Sequence, residues 1–112
     1  MEYVLDAKNK KIGRLASEIS LILQGKKSAF YNPRLAGGDT VVVKNVDQLD
    51  ISIKKMEQKT YYRHTGYMGH LKEMSLKSFL KKSPAAVLRQ AVRKMLPQNY
   101  INAKRLKRLV IE

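Results

Sequence analysis

Thr40-Val41-Val42-Val43 is the stretch whose reading decides the fold: four β-branched residues in succession, followed by Lys44. Branching at Cβ restricts the side chain and favours extended backbone. A half-exposed strand alternates apolar and polar residues, and this run does not alternate. It therefore reads as a strand covered on both faces, as in a parallel sheet.

Upstream, Pro33 and the pair Gly37-Gly38 mark residues 28–39 as a loop. Before that loop, Ile12, Leu15, Ala16, Ile19, Ile22 and Leu23 recur with the period of one helix face. Gly25 closes that helix, and Lys26 and Lys27 follow at the negative end of its dipole. Tyr3-Val4-Leu5 reads as a short strand running into a turn at Asn9.

Downstream, Leu49-Asp50-Ile51-Ser52-Ile53 alternates and predicts a more exposed or edge strand. Lys59 to Arg63 predicts another extended piece, and Ser75 to Leu80 a short helix capped by Ser75. Ser83-Pro84 is a helix start, serine at the cap and proline in the first turn. Val87, Leu88, Ala91, Val92 and Met95 share one face of that helix, Arg89 and Arg93 lie on the other, and Pro97 ends it. Lys104 to Leu109 reads as a last basic turn or two before Val110-Ile111. Strands separated by helices predict a single domain over residues 1–112, three-layer α/β/α with a mainly parallel sheet.

A chain of 112 residues with 44% hydrophobic residues can bury roughly two-thirds of its unfolded surface. There is no cysteine, so disulfides and thiolate metal sites are excluded, which suits a reducing compartment. No apolar run approaches the roughly 20 residues of a membrane span. The first residues read as a strand rather than a signal peptide. The expected address is the cytosol or a comparable interior compartment.

Charge is the strongest bulk signal. Lysine and arginine number 23 against 9 acidic residues, a net +14. Residues 1–58 hold 10 basic and 7 acidic residues, whereas residues 59–112 hold 13 and 2. An imbalance of this size destabilises a fold by self-repulsion unless a polyanion neutralises it, and a phosphate backbone fits. An anionic membrane would want an amphipathic helix with a free apolar face, and the apolar stripes here are committed to a core.

The stretch YYRHTGYMGHLK, residues 61–72, holds both histidines of the chain. In an extended chain His64 and His70 stand about 20 Å apart, too far to share a metal whose nitrogen ligands lie near 2 Å. Only a tight reversal at Gly66 or Gly69 would bring them together. Ser17 lacks the glycine-framed elbow of a nucleophile. Asp39, Asp47, Asp50 and Glu57 are scattered rather than clustered for cations, and Asp39 reads as the holder of a turn. Gly37-Gly38 lacks the lysine and helix of a P-loop, and no G-x-G-x-x-G follows the first strand. Gly66-Tyr67-Met68-Gly69 has the spacing of a KH-domain glycine loop without its helical context. The residues therefore indicate no catalytic centre, no metal and no cofactor.

What the loop does offer is Arg63 and Lys72 for phosphates, tyrosines, His64 and His70 for stacking or ribose contacts, and glycines for close approach. One of Tyr61 and Tyr62 is expected to face the core. Further candidate phosphate ligands are Lys10, Lys11, Arg14, Lys26, Lys27 and Arg34 in the first half. In the second half they are Lys59, Arg89 and the run Lys104-Arg105, Lys107-Arg108. Four cations in five positions repel one another unless an anion lies among them. Arg89 and Arg93 also suit a simply solvated helix face.

Several segments in order resemble the bacterial-type large-subunit ribosomal protein thirteen family. These are Tyr3-Val4-Leu5-Asp6-Ala7, Ile12-Gly13-Arg14-Leu15-Ala16, Tyr31-Asn32-Pro33 with Gly38-Asp39, Tyr61-Tyr62-Arg63-His64-Thr65-Gly66 with Gly69, and Arg93-Lys94-Met95-Leu96-Pro97. The resemblance spans almost the whole chain. It implies a four-stranded parallel sheet in an α/β/α fold, binding to large-subunit rRNA of the 23S type beside neighbouring ribosomal proteins, a role early in subunit assembly, and no catalysis. It places the protein in a cytoplasmic or organellar ribosome. The family's RNA-facing positions fall on Arg63, His64, Thr65, Gly66 and Gly69, and on Arg93, Lys94 and Pro97. Two departures stand out. Family members usually carry a short N-terminal extension and a longer C-terminal tail, whereas this sequence opens almost at the first strand and stops at Glu112. After Pro97, Gln98-Asn99-Tyr100-Ile101-Asn102-Ala103 replaces a Gly-Pro-Leu-Gly-Arg-like turn, with Ala103 in the arginine position. The Lys104–Arg108 run is the candidate substitute for that arginine. A non-ribosomal RNA-binding module is the alternative on the same basic surface, and a small metal-dependent nuclease is the more distant one.

Overall fold

The β-branched run becomes the central strand of a parallel sheet. In the computed structural model, which describes residues 1–112, β1 (Glu2–Asp6), β2 (Thr40–Lys44) and β5 (Leu109–Ile111) pair in the order β1-β2-β5. Val4, Val42 and Val110 stand in register across it. Between and after these strands come α1 (Ile12–Gln24), a single 3-10 turn (Val46–Gln48), α2 (Ile53–Gln58), β3 (Thr60–His64), β4 (Leu71–Ser75), α3 (Leu76–Lys82), α4 (Pro84–Met95) and α5 (Asn102–Lys107).

Two expectations about the sheet are corrected. The parallel sheet has three strands rather than four, because β3 and β4 pair with each other as a separate antiparallel hairpin. The link between them covers only residues 65–70, and a parallel crossover needs about a dozen residues or more. The helices also gather on one face of the parallel sheet. Val41, Val43 and Leu109 point into the core with α1 and α4, while Val4 (60% exposed) and Val110 (43%) lie on the opposite, open face. The architecture is thus a helical layer on a sheet, with no second helical layer behind it. Val42 is buried on that open face all the same, because strands flank it on both sides.

Leu15, Ile19, Ile22 and Leu23 of α1 meet Val87, Leu88 and Val92 of α4, all inaccessible to solvent or nearly so. Each fully buried aliphatic side chain of this kind stabilises the fold by about 1.5–3 kcal/mol. Helix boundaries follow their caps. The hydroxyls of Ser75 and Ser83 accept from the amides of Ser78 and Ala86, at 3.3 and 3.2 Å. Met95, placed by period on the buried face of α4, is 43% exposed, and its sulfur accepts from the Ser17 hydroxyl at 3.5 Å.

The strand expected over Leu49–Ile53 does not form. Asp50 makes one parallel bridge with Lys11, and the Ser52 hydroxyl then accepts from the Lys55 amide to start α2. A serine that satisfies an orphan amide at a helix start outweighs five residues of alternation. Leu49 and Ile51 still turn their side chains onto the core.

The loop of residues 28–39 is held down by two arginines of the basic run. Arg105, 1% exposed, donates from Nη2 to the Leu35 carbonyl at 3.1 Å. Arg108 donates to the carbonyls of Asp39 (2.8 Å), Leu23 (3.0 Å) and Ala36. Burial pushes the Arg108 guanidinium below its usual range, with Asp39 opposing that shift and Arg105 adding to it. These side chains tie the end of α1, the loop and the entry to β5 together. The reading of Arg105 and Arg108 as phosphate ligands is therefore corrected: both spend their guanidinium groups inside the protein. Lys104 and Lys107 remain exposed on the outer side of α5.

Candidate nucleic-acid interface

The β3–β4 hairpin carries the motif that held both histidines. Thr65 and His70 close its end, the Thr65 amide donating to the His70 carbonyl at 3.1 Å. Gly66 and Gly69 there adopt φ of 90° and 77°, a left-handed backbone that residues with a Cβ take up only under strain. The turn is the tight reversal that the spacing of the histidines left open. His70 immediately precedes Leu71, the cross-strand partner of His64, so the pleat sends the two side chains to opposite faces. His64 accepts the Gly66 amide at Nδ1 (3.0 Å), which leaves the proton of a neutral ring on Nε2. The ring of His70 meets Tyr67 edge-on at 6.4 Å. The two histidines thus have separate local roles.

Register sorts the rest of the hairpin. Tyr61 and Arg63 share a face with their partners Met74 and Lys72. Tyr61 turns inward against Phe79, ring centroids 5.2 Å apart, and burial raises its phenol above the ordinary value. Tyr62 is 64% exposed, so it is Tyr61 that faces the core. Arg63 and Lys72 stand directly opposite each other, an arrangement of like charges that destabilises a hairpin on its own. The ammonium groups of Lys59 and Lys94 both lie over the Tyr61 ring, at 5.4 and 5.6 Å. Lys59 is held below its usual range by burial first, then by Lys55 and Lys94.

The fold thereby joins two sets of candidate residues that are far apart in sequence. Arg63, His64, Thr65, Gly66, Gly69, His70 and Lys72 sit on the exposed hairpin, and Lys59 at its base. Lys94 reaches the same base from the last turn of α4, with Arg93 beside it, Arg89 one turn back and Pro97 just beyond. The Ser17–Met95 contact brings the first half of α1 to this end of α4, and Arg14 is on the neighbouring turn. Lys10 and Lys11 precede α1, and Lys11 is spent on Asp50 at 2.6 Å. Lys26, Lys27 and Arg34 follow the far end of α1, a helix roughly 20 Å long. Lys27 approaches Glu18 at 3.9 Å and the Tyr3 ring, and Lys26 lies over Tyr31.

All three ion pairs of the chain use cations from the first half: the N-terminus, Lys11 and Lys27. Not one of the 13 cations of residues 59–112 has a carboxylate partner. Positive charge without a carboxylate partner thus lies on the hairpin and on α3, α4 and α5.

The sequence model of the family described as ribosomal protein L13 matches residues 1–111, all but the last residue. The chain belongs to the ribosomal protein L13 family. Proteins named large ribosomal subunit protein uL13 resemble it over 109 residues. Those of Rubrobacter xylanophilus and Desulfotalea psychrophila are 48% and 46% identical, covering 97% of this chain and 76% and 77% of the relatives. That of Aquifex aeolicus is 46% identical with the same 97% and 76% coverage. The L13 family resemblance read from the ordered motifs is thereby established.

Sequence reasoning passed over Tyr100, which is 86% exposed, and the groove beside it. An aromatic residue between Asn99 and Ile101, just past a helix-ending proline, was the available signal. Arg105 also had one: it lies one helical turn after Ile101, and both are buried.

Proposed function

We propose that this L13-family chain is a structural component of the large ribosomal subunit that binds large-subunit rRNA and acts early in subunit assembly, without catalysis. The observation that carries the reading is the set of cations in residues 59–112 that have no carboxylate partner, 11 of them once the inward-turned Arg105 and Arg108 are set aside from the 13. Family membership supports the ribosomal role.

The contact surface is the hairpin face with Arg63 and Lys72, the Lys59–Tyr61–Lys94 cluster at its base, and Arg93 on α4. A phosphate between Arg63 and Lys72 turns their repulsion into attraction to a shared anion. Gly66 and Gly69 let a ribose-phosphate backbone approach the turn closely, where exposed Tyr67 offers a face for stacking, and Tyr62 and His64 offer the same on the hairpin's opposite face. Neighbouring ribosomal proteins complete the set of partners, with no membrane and no small-molecule substrate.

Sedimentation tests the ribosomal reading. The tagged chain is expected to travel with large subunits through a sucrose gradient at high salt, and Arg63→Glu/Lys72→Glu to shift to the top fractions. Wild-type protein found only at the top would overturn the proposal and favour a non-ribosomal RNA-binding module.

A further inference from the structure

A groove of about 530 Å³ opens between α4, α5 and the segment that joins them. Its volume falls in the range of small-ligand sites. Phe79 and Leu106 supply apolar walls, Arg89 and Arg93 one cationic side, and Asn99, Tyr100 and Asn102 the remainder. The two arginines stand four residues apart on α4, so their side chains emerge as neighbours, and neither has a carboxylate partner. Tyr100 is a large aromatic side chain left 86% exposed. Asn102 is only 9% exposed, and its side-chain oxygen has no hydrogen-bond partner. A buried acceptor without a donor is uncommon in a folded protein.

We propose that this groove receives one unpaired nucleotide of the bound RNA, extruded from its stack. Arg89 and Arg93 hold the phosphate, and the base lies on the Tyr100 ring against the apolar wall. An N–H of the base or the ribose 2′-hydroxyl gives the Asn102 side-chain oxygen the donor it lacks. A phosphate alone would explain the arginines. It would leave Tyr100 exposed and Asn102 unmatched, and a helical RNA backbone offers no free base face to meet them. This inference rests on the RNA-binding reading and adds to it a site for a single residue of the RNA.

The test uses the full isotope-labelled chain with adenosine 5′-monophosphate, and separately with inorganic phosphate, followed by NMR. The monophosphate is expected to move the amide signals of residues 89–93 and 99–102 together and saturably. Phosphate alone is expected to move only residues 89–93. Tyr100→Ala should weaken monophosphate binding about fivefold or more, as loss of a stacking platform does, and leave phosphate binding unchanged. Tyr100→Phe should keep affinity within about twofold of the wild type, since the ring survives. Because Tyr100 is exposed, neither variant threatens the fold. The proposal is overturned if the monophosphate shifts nothing, shifts only the hairpin, or binds the Tyr100→Ala variant as tightly as the wild type. If that happens while the chain still binds large-subunit rRNA, the groove assignment alone fails. If rRNA binding is absent too, the broader reading fails with it.

Discussion

Arg63 and Lys72 face each other across two hydrogen-bonded strands, and a sequence chosen only for stability would not pair them. Lys72→Glu makes the pair attractive and is expected to raise the unfolding free energy by about 0.2–1 kcal/mol in urea titrations. The same change should weaken binding to large-subunit rRNA on the order of tenfold at low salt, because a phosphate contact becomes a repulsion. If affinity stays the same while stability rises, the pair is not an RNA contact. Arg63 and Lys72 were legible in sequence as basic residues near a glycine turn. Their juxtaposition was not, because it depends on strand register, and composition does not encode register. Arg105 shows the opposite failure: it was counted among surface cations, although its spacing from Ile101, one helical turn earlier, assigns it to a buried face.

Elements whose ends carry a cap were readable, and those decided by competition were not. Ser75, Ser83, Gly25 and Pro97 fixed helix boundaries close to where α1, α3 and α4 begin or end. The alternating stretch Leu49–Ile53 misled because two of its apolar side chains do face the core, though from a bridge and a helix cap. The join between α5, β5 and the loop of residues 28–39 was invisible, since it is made by arginine side chains reaching carbonyls about 70 to 85 residues away in sequence. The two arginines should behave differently in urea unfolding. Arg108→Met leaves three carbonyl acceptors without their donor and is expected to cost about 2–4 kcal/mol. Arg105→Met gives up one hydrogen bond but relieves a buried charge whose Nε has no partner. It is expected to lie within about 1 kcal/mol of the wild type, or above it. Equal losses for the two variants would contradict the roles assigned to them.

At the scale of the whole molecule, charge and layering run in the same sense. The first half supplies the parallel sheet's first two strands and long helix, and it neutralises part of its own charge in ion pairs. The second half adds a hairpin and a helix whose free cations converge at the hairpin base, on a body 45 × 36 × 20 Å across. The lopsided charge and the ordered family motifs could be read from the sequence; the three-stranded sheet with one open face could not, because pairing partners and layer order are tertiary facts. The central claim is that Lys59, Arg63, Lys72, Arg93 and Lys94 together engage phosphates. The most direct measurement is the dependence of affinity for a large-subunit rRNA fragment on monovalent salt at fixed magnesium. Five contacts give a slope of log K against log salt of about −3.5 or steeper, and Arg63→Ala/Lys72→Ala should make it shallower by about 1.4–1.8. A wild-type slope shallower than about −1, or one that the double variant leaves unchanged, would contradict the account.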